Sequence, residues 1–216
     1  MAAARTTKPK VQTKWGDRTR RRADILGAAR ARITESGYLS LNMRDLAADA
    51  GISPATLYSY FATKEELFAT LYVEAIRAHT DVLRTVVEHV DDLPTLLERV
   101  IGEYLELYRS FGRHFTLWTS LRHDVHEDAA PFPRELIVEL RGATLANNEL
   151  LMGAIRDSAA RDGQRIVDDE LVPAFLWSAM NGLADHFTSE RRSLDPFPPD
   201  RLLRFAARRL AVAITV

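Results

Sequence analysis

Small hydroxyl-bearing side chains are concentrated between positions 53 and 60, in the run SPATLYSY. Leu57 and Phe61 lie four residues apart and can turn inward together on a short helix. The intervening and preceding residues then face outward, and they are Ala55, Thr56, Tyr58, Ser59 and Tyr60. Uncharged hydroxyl groups on one side of a short helix suit hydrogen bonding to DNA when that helix belongs to a helix-turn-helix.

Local signals around this run predict the elements that would position it. Asn42, Ser53 and Thr63 are residue types that cap helix N-termini. Pro54 fits the first helical position, and Gly51 is suited to end the preceding helix. The predicted order is helix, tight turn, short helix and a third helix, which is a helix-turn-helix.

Residues 20–70, which include RADILGAARARITESGY ahead of this segment, resemble the TetR family of transcriptional repressors. The family signature is a capped short helix ending in Leu-Tyr-x-x-Phe followed by Lys-Glu, here LYSYFATKE. Ile33 stands where the family more often has Phe, and Leu41 and Asn42 stand where it usually has Thr. The latter change removes a hydroxyl that often touches phosphate. Beyond residue 70 the resemblance is one of length and helical character.

The resemblance implies individual roles in DNA binding. It places Ala55, Thr56 and Ser59 at base edges, and it places Arg44 where family members often reach a base. An arginine can bond guanine at both O6 and N7. The tyrosines and the lysine of the segment are expected to contact phosphates, although core packing is the alternative for the tyrosines. The predicted DNA-binding residues are Arg44, Ser53, Pro54, Ala55, Thr56, Tyr58, Ser59, Tyr60 and Lys64.

Charge is divided unevenly along the 216 residues, although the net charge is only −1. Residues 1–64 hold 12 Lys or Arg and 5 Asp or Glu, whereas residues 65–216 hold 17 and 25. A basic head and an acidic body direct one end of the molecule toward phosphates. Residues 1–17 are polar and Lys-rich, which predicts a disordered basic arm.

Composition excludes several other classes of protein. The 46% hydrophobic content is ordinary for a globular chain, and the absence of cysteine excludes disulfide frameworks and cysteine-based metal sites. There is no signal peptide and no apolar run of about 18 residues that would span a bilayer. We expect a cytoplasmic protein without a membrane partner and without a cofactor.

Apolar periodicity predicts an all-α fold throughout. Residues 18–63 form a three-helix head, the DNA-binding domain. Residues 64–216 form a six-helix regulatory and dimerisation domain, which binds the ligand and the second subunit. Its helices are predicted from 64 to about 90, from 94 to 112, then to about 123, and over 134–160, 169–190 and 200–213.

The last two helices predict a homodimer. Ala179 and Gly182 fall on one face and would let a partner helix approach closely. In the final helix the apolar stripe is too wide for one neighbour, and it contains Leu202, Leu203, Phe205, Ala206 and Leu210. We expect a four-helix interface across a two-fold axis. The alternative is that both helices only close the subunit's own core.

Aromatic residues of the body predict a ligand cavity. Four of them recur at helical spacing, with an indole one turn further and a Trp-Asn pair on another helix. For any single one of them, ordinary core packing is the alternative. The family resemblance implies a small-molecule inducer pocket here. The predicted ligand-binding residues are Tyr104, Tyr108, Phe111, Phe115, Trp118, Met152, Trp177 and Asn181.

The predicted function is a dimeric DNA-binding transcriptional regulator, a repressor released from a palindromic operator by a small, largely apolar ligand. A metal-responsive or a constitutive regulator without an organic inducer is the alternative. His123 and His126 are spaced to share a metal, with His114 or His186 as further ligands, yet histidines in a polar loop are usually only solvated. An enzyme site at Ser120, His123, Asp124, His126 and Glu127 is disfavoured, because no catalytic motif accompanies it.

Overall fold

A computed structural model describes residues 15–90, 92–112 and 133–216. Within these ranges the secondary structure is helical apart from turns and one isolated antiparallel bridge between Ile166 and Thr215. The predicted all-α class is confirmed. The chain divides into two compact units, Met1–Ala62 and Thr63–Val216.

The first unit contains three helices, α1 (Trp15–Ser40), α2 (Met43–Asp49) and α3 (Pro54–Tyr58). Helical geometry is interrupted inside α1 at Gly37, where φ is 77° and ψ is 163°. A positive φ of this size favours glycine, which explains why the regular helical geometry of α1 is broken at this residue.

Apolar residues at helical spacing hold these three helices together. The apolar stripe of α1 and the inward-facing residues of α2 are buried. Leu57 of α3 and Phe61, which follows this helix, are buried as well. Removal of this surface from water is the main stabilising contribution. The buried residues are Ile25, Leu26, Ala29, Ile33, Leu41, Met43, Leu46, Ala47, Leu57 and Phe61.

The second unit begins with α4 (Lys64–Val87) and α5 (Leu93–Leu107), which is followed by a π-helical turn (Tyr108–Gly112). It continues with α6 (Arg134–Arg161) and α7 (Leu171–Thr188). A 3₁₀ turn (Glu190–Leu194) leads to α8 (Pro199–Ile214). Five helices of the second unit therefore lie within a few residues of their predicted bounds. The helix predicted to end near residue 123 lies outside the described residues.

Two helix pairs organise the second unit, because α4 packs along α6 and α5 packs along α8. Part of each contact surface belongs to one apolar core to which α7 also contributes. Leu83, Leu97, Ile101 and Ile155 are fully buried in it. A second apolar cluster lies between α4 and α6 and consists of Ala69, Val73, Ile76, Leu136 and Ala143.

Of the helices in the described parts of the chain, none combines the length and the apolar character needed to cross a bilayer.

Candidate DNA interface and ligand cavity

Side-chain caps hold the helix-turn-helix in one conformation. Asn42 Oδ1 accepts a hydrogen bond from the Arg44 N–H at 2.8 Å at the start of α2. The turn after α2 passes through Gly51 at φ 63°, and the Ile52 N–H donates to the Ala47 carbonyl at 2.9 Å. The predicted caps and the predicted helix stop at Gly51 thus coincide with the observed turn.

Hydroxyl groups reinforce α3 from both ends. Ser53 Oγ accepts from the Thr56 N–H at 3.1 Å and lies 2.8 Å from Thr56 Oγ1. Ser59 Oγ donates to the Thr56 carbonyl at 2.6 Å. These bonds orient the hydroxyls, and each oxygen keeps lone pairs that can accept from donors on DNA.

Most of the predicted DNA-binding side chains are accessible. Arg44, Ser53, Pro54, Ala55, Thr56 and Ser59 are exposed, and Tyr58 is 49% exposed, whereas Leu57 is fully buried. Tyr60 is half-buried. Lys64 is also half-buried and is the first residue of α4, in the second unit. Burial lowers the pKa of its ammonium group.

Arginines of α1 add positive charge close to the end of α3. The Arg18 guanidinium lies 5.6 Å from the centre of the Tyr60 ring, and the Arg22 guanidinium lies 5.1 Å from the centre of the Phe61 ring. Both distances suit cation-π interactions. The surface of the first unit therefore combines oriented hydroxyls with fixed cations, which matches the needs of base-edge and phosphate contacts.

A cavity of about 600 Å³ lies between α4, α5, α6 and α7 in the second unit. This volume is in the range of small-molecule sites, and the wall is mainly apolar with a few polar groups. The apolar and aromatic lining consists of Tyr72, Ile76, Leu83, Val100, Tyr104, Leu107, Leu140, Leu145, Leu151, Met152, Pro173, Leu176, Trp177 and Met180. The polar lining consists of His79, Arg141, Thr144, Asn147 and Asn148.

Three of the predicted ligand-binding residues line this cavity, namely Tyr104, Met152 and Trp177. The Tyr104 hydroxyl donates to Asn181 Oδ1 at 2.8 Å, and the Asn181 amide nitrogen donates to the Trp177 carbonyl at 2.8 Å. Asn181 therefore holds the hydroxyl of one lining residue, Tyr104, without lining the cavity itself. Burial raises the pKa of Tyr104, so its hydroxyl stays protonated as this bond requires.

The remaining predicted aromatics are distributed differently. Tyr108 and Phe111 are buried behind the cavity wall, where their rings pack against other aromatic rings. Tyr108 stacks at a tilt on Tyr104 with ring centres 5.9 Å apart. Phe115 and Trp118 lie outside the described residues.

A buried polar group of the cavity was missed by sequence reasoning. His79 is only 8% exposed and its Nδ1 lies 3.1 Å from Asn147 Oδ1, which also accepts from the Thr80 hydroxyl at 3.1 Å. Burial lowers the pKa of the His79 imidazole. The available signal was the placement of His79 on the buried face of α4, three residues after Ile76 and four before Leu83.

The second unit also leaves apolar side chains on its surface. On α7, Leu171, Phe175 and Gly182 are exposed, and on α8, Phe205 and Val212 are 58% and 69% exposed. A Cβ atom built on Gly182 would have no neighbour within 4 Å. The residues predicted for the dimer interface therefore differ in solvent exposure. Gly182 and Phe205 are exposed, and Leu210 is buried; the half-buried residues are Ala179, Leu202, Leu203 and Ala206.

The described residues contain no cluster of three or more His, Asp or Glu suited to a metal ion. His114, His123 and His126 lie outside them, as do Ser120, Asp124 and Glu127. His186 Nε2 lies 2.8 Å from Asp195 Oδ2, and this contact connects α7 to the segment before α8.

Comparison with known proteins identifies relatives of the first unit above all. Residues 25–71 match the sequence profile of the bacterial regulatory proteins of the tetR family. An HTH-type transcriptional regulator of Mycobacterium tuberculosis is 42% identical over 53 residues, 24% of this chain and 25% of that protein. The HTH-type transcriptional repressor KstR2 of Mycobacterium tuberculosis is 33% identical over 95 residues, 44% of this chain and 46% of the repressor. This chain therefore spans less than half the length of each of these two relatives.

The similarity in fold extends over both units. The crystal structure of the transcriptional regulator FadR from Bacillus subtilis in complex with stearoyl-CoA matches with a TM-score of 0.60. The match covers 89% of this chain and 98% of FadR at 18% sequence identity, so it concerns the fold alone.

Proposed function

Because this chain belongs to the TetR family of bacterial regulatory proteins, we propose that it is a homodimeric repressor that leaves a palindromic operator when a small, largely apolar ligand binds. The observation that carries the DNA-binding part is the exposed, doubly capped α3. Its outward side chains are small or hydroxyl-bearing, and its one buried residue, Leu57, anchors it to the first unit.

The DNA-binding residues have distinct roles in this proposal. Thr56 and Ser59 contact base edges with hydroxyls whose orientation is set within α3, and Ala55 meets a thymine methyl. Arg44 bonds a guanine. Tyr58, Tyr60 and Lys64 contact phosphates, and Ser53 with Pro54 holds the N-terminus of the helix in place.

Two copies of the first unit are required for useful specificity. A five-residue helix spans too few base pairs for strong discrimination, whereas two such helices on successive turns of the duplex read a palindrome. The exposed apolar side chains of α7 and α8, among them Phe175 and Phe205, support a symmetric four-helix contact between subunits.

The cavity supports control by a ligand. Tyr72, Ile76, His79 and Leu83 line it from α4, and the chain leads directly from Lys64 at the start of α4 back to the first unit. A bound ligand shifts α4, and this alters the spacing of the two reading helices. A coupling of about 1 to 3 kcal/mol weakens DNA binding by roughly 5- to 150-fold. FadR from Bacillus subtilis, which shares this fold, has been crystallised in complex with stearoyl-CoA, a ligand with a long apolar chain.

Selection from a random DNA pool tests the DNA-binding part. The purified chain is expected to enrich a palindrome whose half-sites lie about one helical turn apart, or a multiple of it. Enrichment of no sequence at low salt would refute the proposal. Small apolar compounds are then competed against the selected complex, and release by at least one chemical class is expected. If cavity-binding compounds leave operator affinity unchanged, the chain regulates without an inducer.

A further inference from the structure

We infer that the cavity accepts an apolar ligand that carries a hydroxyl group, and that this hydroxyl donates a hydrogen bond to Nε2 of His79. The inference rests on the effector cavity of the proposed function and assigns the chemical class of the effector.

An unsatisfied buried nitrogen is the starting observation. His79 lines the cavity and is 8% exposed, and its Nε2 atom has no hydrogen-bond partner among the described residues. Buried polar atoms normally have a partner. Nδ1 on the other side of the ring has one, since Asn147 Oδ1 lies 3.1 Å away. A molecule in the cavity can supply the partner that Nε2 lacks.

Neighbouring groups determine which ring nitrogen carries the proton. The amide oxygen of Asn147 faces Nδ1 of His79, and because this oxygen carries no proton, Nδ1 is the donor in this amide orientation. The single proton of the Thr80 hydroxyl is shared between the Ile76 carbonyl at 2.9 Å and Asn147 Oδ1 at 3.1 Å. Burial lowers the pKa of His79 and outweighs the opposing effects of Asn147 and the Glu103 carboxylate. The ring is therefore neutral near pH 7, and Nε2 offers a lone pair. The ligand must therefore donate a hydrogen bond to this nitrogen.

The surrounding wall selects a neutral donor. Ile76, Leu83, Val100 and Met180 line the same cavity, and an ionised donor would lose hydration against such a surface. A carboxylate has no proton to donate to Nε2. A hydroxyl group on an apolar body satisfies the nitrogen at the lowest desolvation cost, and the remaining body fills the apolar space.

Matched probes test this assignment by direct binding to the full chain. Isothermal titration is performed with dodecan-1-ol and with 1-methoxydodecane, and again with decahydro-2-naphthol and its methyl ether. In at least one pair the alcohol is expected to bind about tenfold more tightly, since the ether leaves Nε2 unpaired. Equal affinities within both pairs, or no binding by any probe, would overturn the inference.

Variants locate the selectivity. His79→Leu is expected to reduce the preference for alcohol to less than about twofold, because the acceptor is gone. His89→Leu makes the same exchange at an exposed histidine just after α4 that does not line the cavity, and it is expected to keep the preference. An alcohol preference that survives His79→Leu would overturn the inference.

A spectroscopic measurement covers the case in which His79→Leu does not fold. Long-range ¹H–¹⁵N spectra of the wild-type protein are expected to show His79 protonated at Nδ1 alone, with the Nε2 signal moving when alcohol is added. A proton on Nε2 in the free protein contradicts the assignment. Because these readouts involve no DNA, selective alcohol binding without operator release would refute the proposed mechanism of induction while leaving the ligand class intact.

Discussion

Gly182 provides the sharpest test of the proposed subunit interface. It lies in the interior of α7, it is exposed, and a Cβ built there meets no atom within 4 Å, so one subunit tolerates a large side chain at this position. In a two-fold helix pair, however, Gly182 of each subunit would allow close approach of the partner. We predict that Gly182→Arg produces a folded monomer.

Two effects of the substitution act on different equilibria. Replacing glycine in a helix interior stabilises the subunit by about 0.5 to 1 kcal/mol, and this gain is the same in the free and the paired subunit, so it does not change dimerisation. Burying an unpaired guanidinium in a dimer interface costs several kcal/mol, and symmetry places two of them there. A penalty of even about 3 kcal/mol weakens the dimer about 100-fold. Affinity for a palindromic operator should fall with it, because the second half-site is lost.

Gly142→Arg is the matched control. Gly142 is also exposed in a helix interior, in α6, and a Cβ there likewise meets no atom within 4 Å. Sedimentation velocity over a concentration series should show a monomer for Gly182→Arg and a dimer for Gly142→Arg, and circular dichroism should show wild-type helical content for both. The melting temperature of Gly182→Arg should fall below that of Gly142→Arg, because subunit association stabilises the folded state. A Gly182→Arg protein that sediments as a dimer, or a loss of dimer in both variants, would refute the proposed interface.

Other substitutions probe individual contacts. Arg44→Ala should cost about 1 to 3 kcal/mol of operator binding and relax the preference for a guanine, whereas Arg44→Lys should lose the preference while keeping the charge. Lys64→Ala should weaken binding to all sequences alike and lower the slope of log affinity against log salt concentration by roughly one. Binding curves across salt concentrations separate these outcomes, and a uniform loss with Arg44→Ala would exclude base contact. Leu57→Ala, at a fully buried position, should lower the free energy of unfolding by about 2 to 5 kcal/mol and abolish DNA binding; urea unfolding that changes by less than about 1 kcal/mol would contradict its anchoring role. Tyr104→Phe removes the donor to Asn181 and should lower the free energy of unfolding in urea by about 0.5 to 1.5 kcal/mol. Tyr58→Phe on the surface should leave it unchanged, and equal losses in the two variants would contradict the assigned hydrogen bond.

The first unit was predictable because its signals are local. Asn42 and Ser53 each cap a helix through bonds that span two or three residues, so residue type and spacing were sufficient, and the same holds for Thr63 at the start of the second unit. Gly51 and Gly37 adopt the positive φ angles for which glycine is suited. The cation-π contact between Arg18 and Tyr60 was not predictable, since it joins residues 42 positions apart in sequence.

The cavity was predictable only in part, because its polar contacts are long-range. The helical spacing of Tyr104 and the pairing of Trp177 with Asn181 were visible in sequence. The contact of His79 with Asn147 joins residues 68 positions apart, and each residue alone fits an ordinary amphipathic helix. Periodicity also could not separate Tyr108, buried behind the wall, from Tyr104, which lines it.

Repeating the random-pool selection with a Thr56→Ala, Ser59→Ala double variant tests most directly whether α3 reads DNA. The backbone N–H of Thr56 still bonds to Ser53 Oγ in this variant, so the helix keeps its cap. We predict a palindrome with unchanged half-site spacing and altered or relaxed preference at specific bases within each half-site. An unchanged sequence preference would contradict the central claim that the exposed side chains of α3 contact base edges.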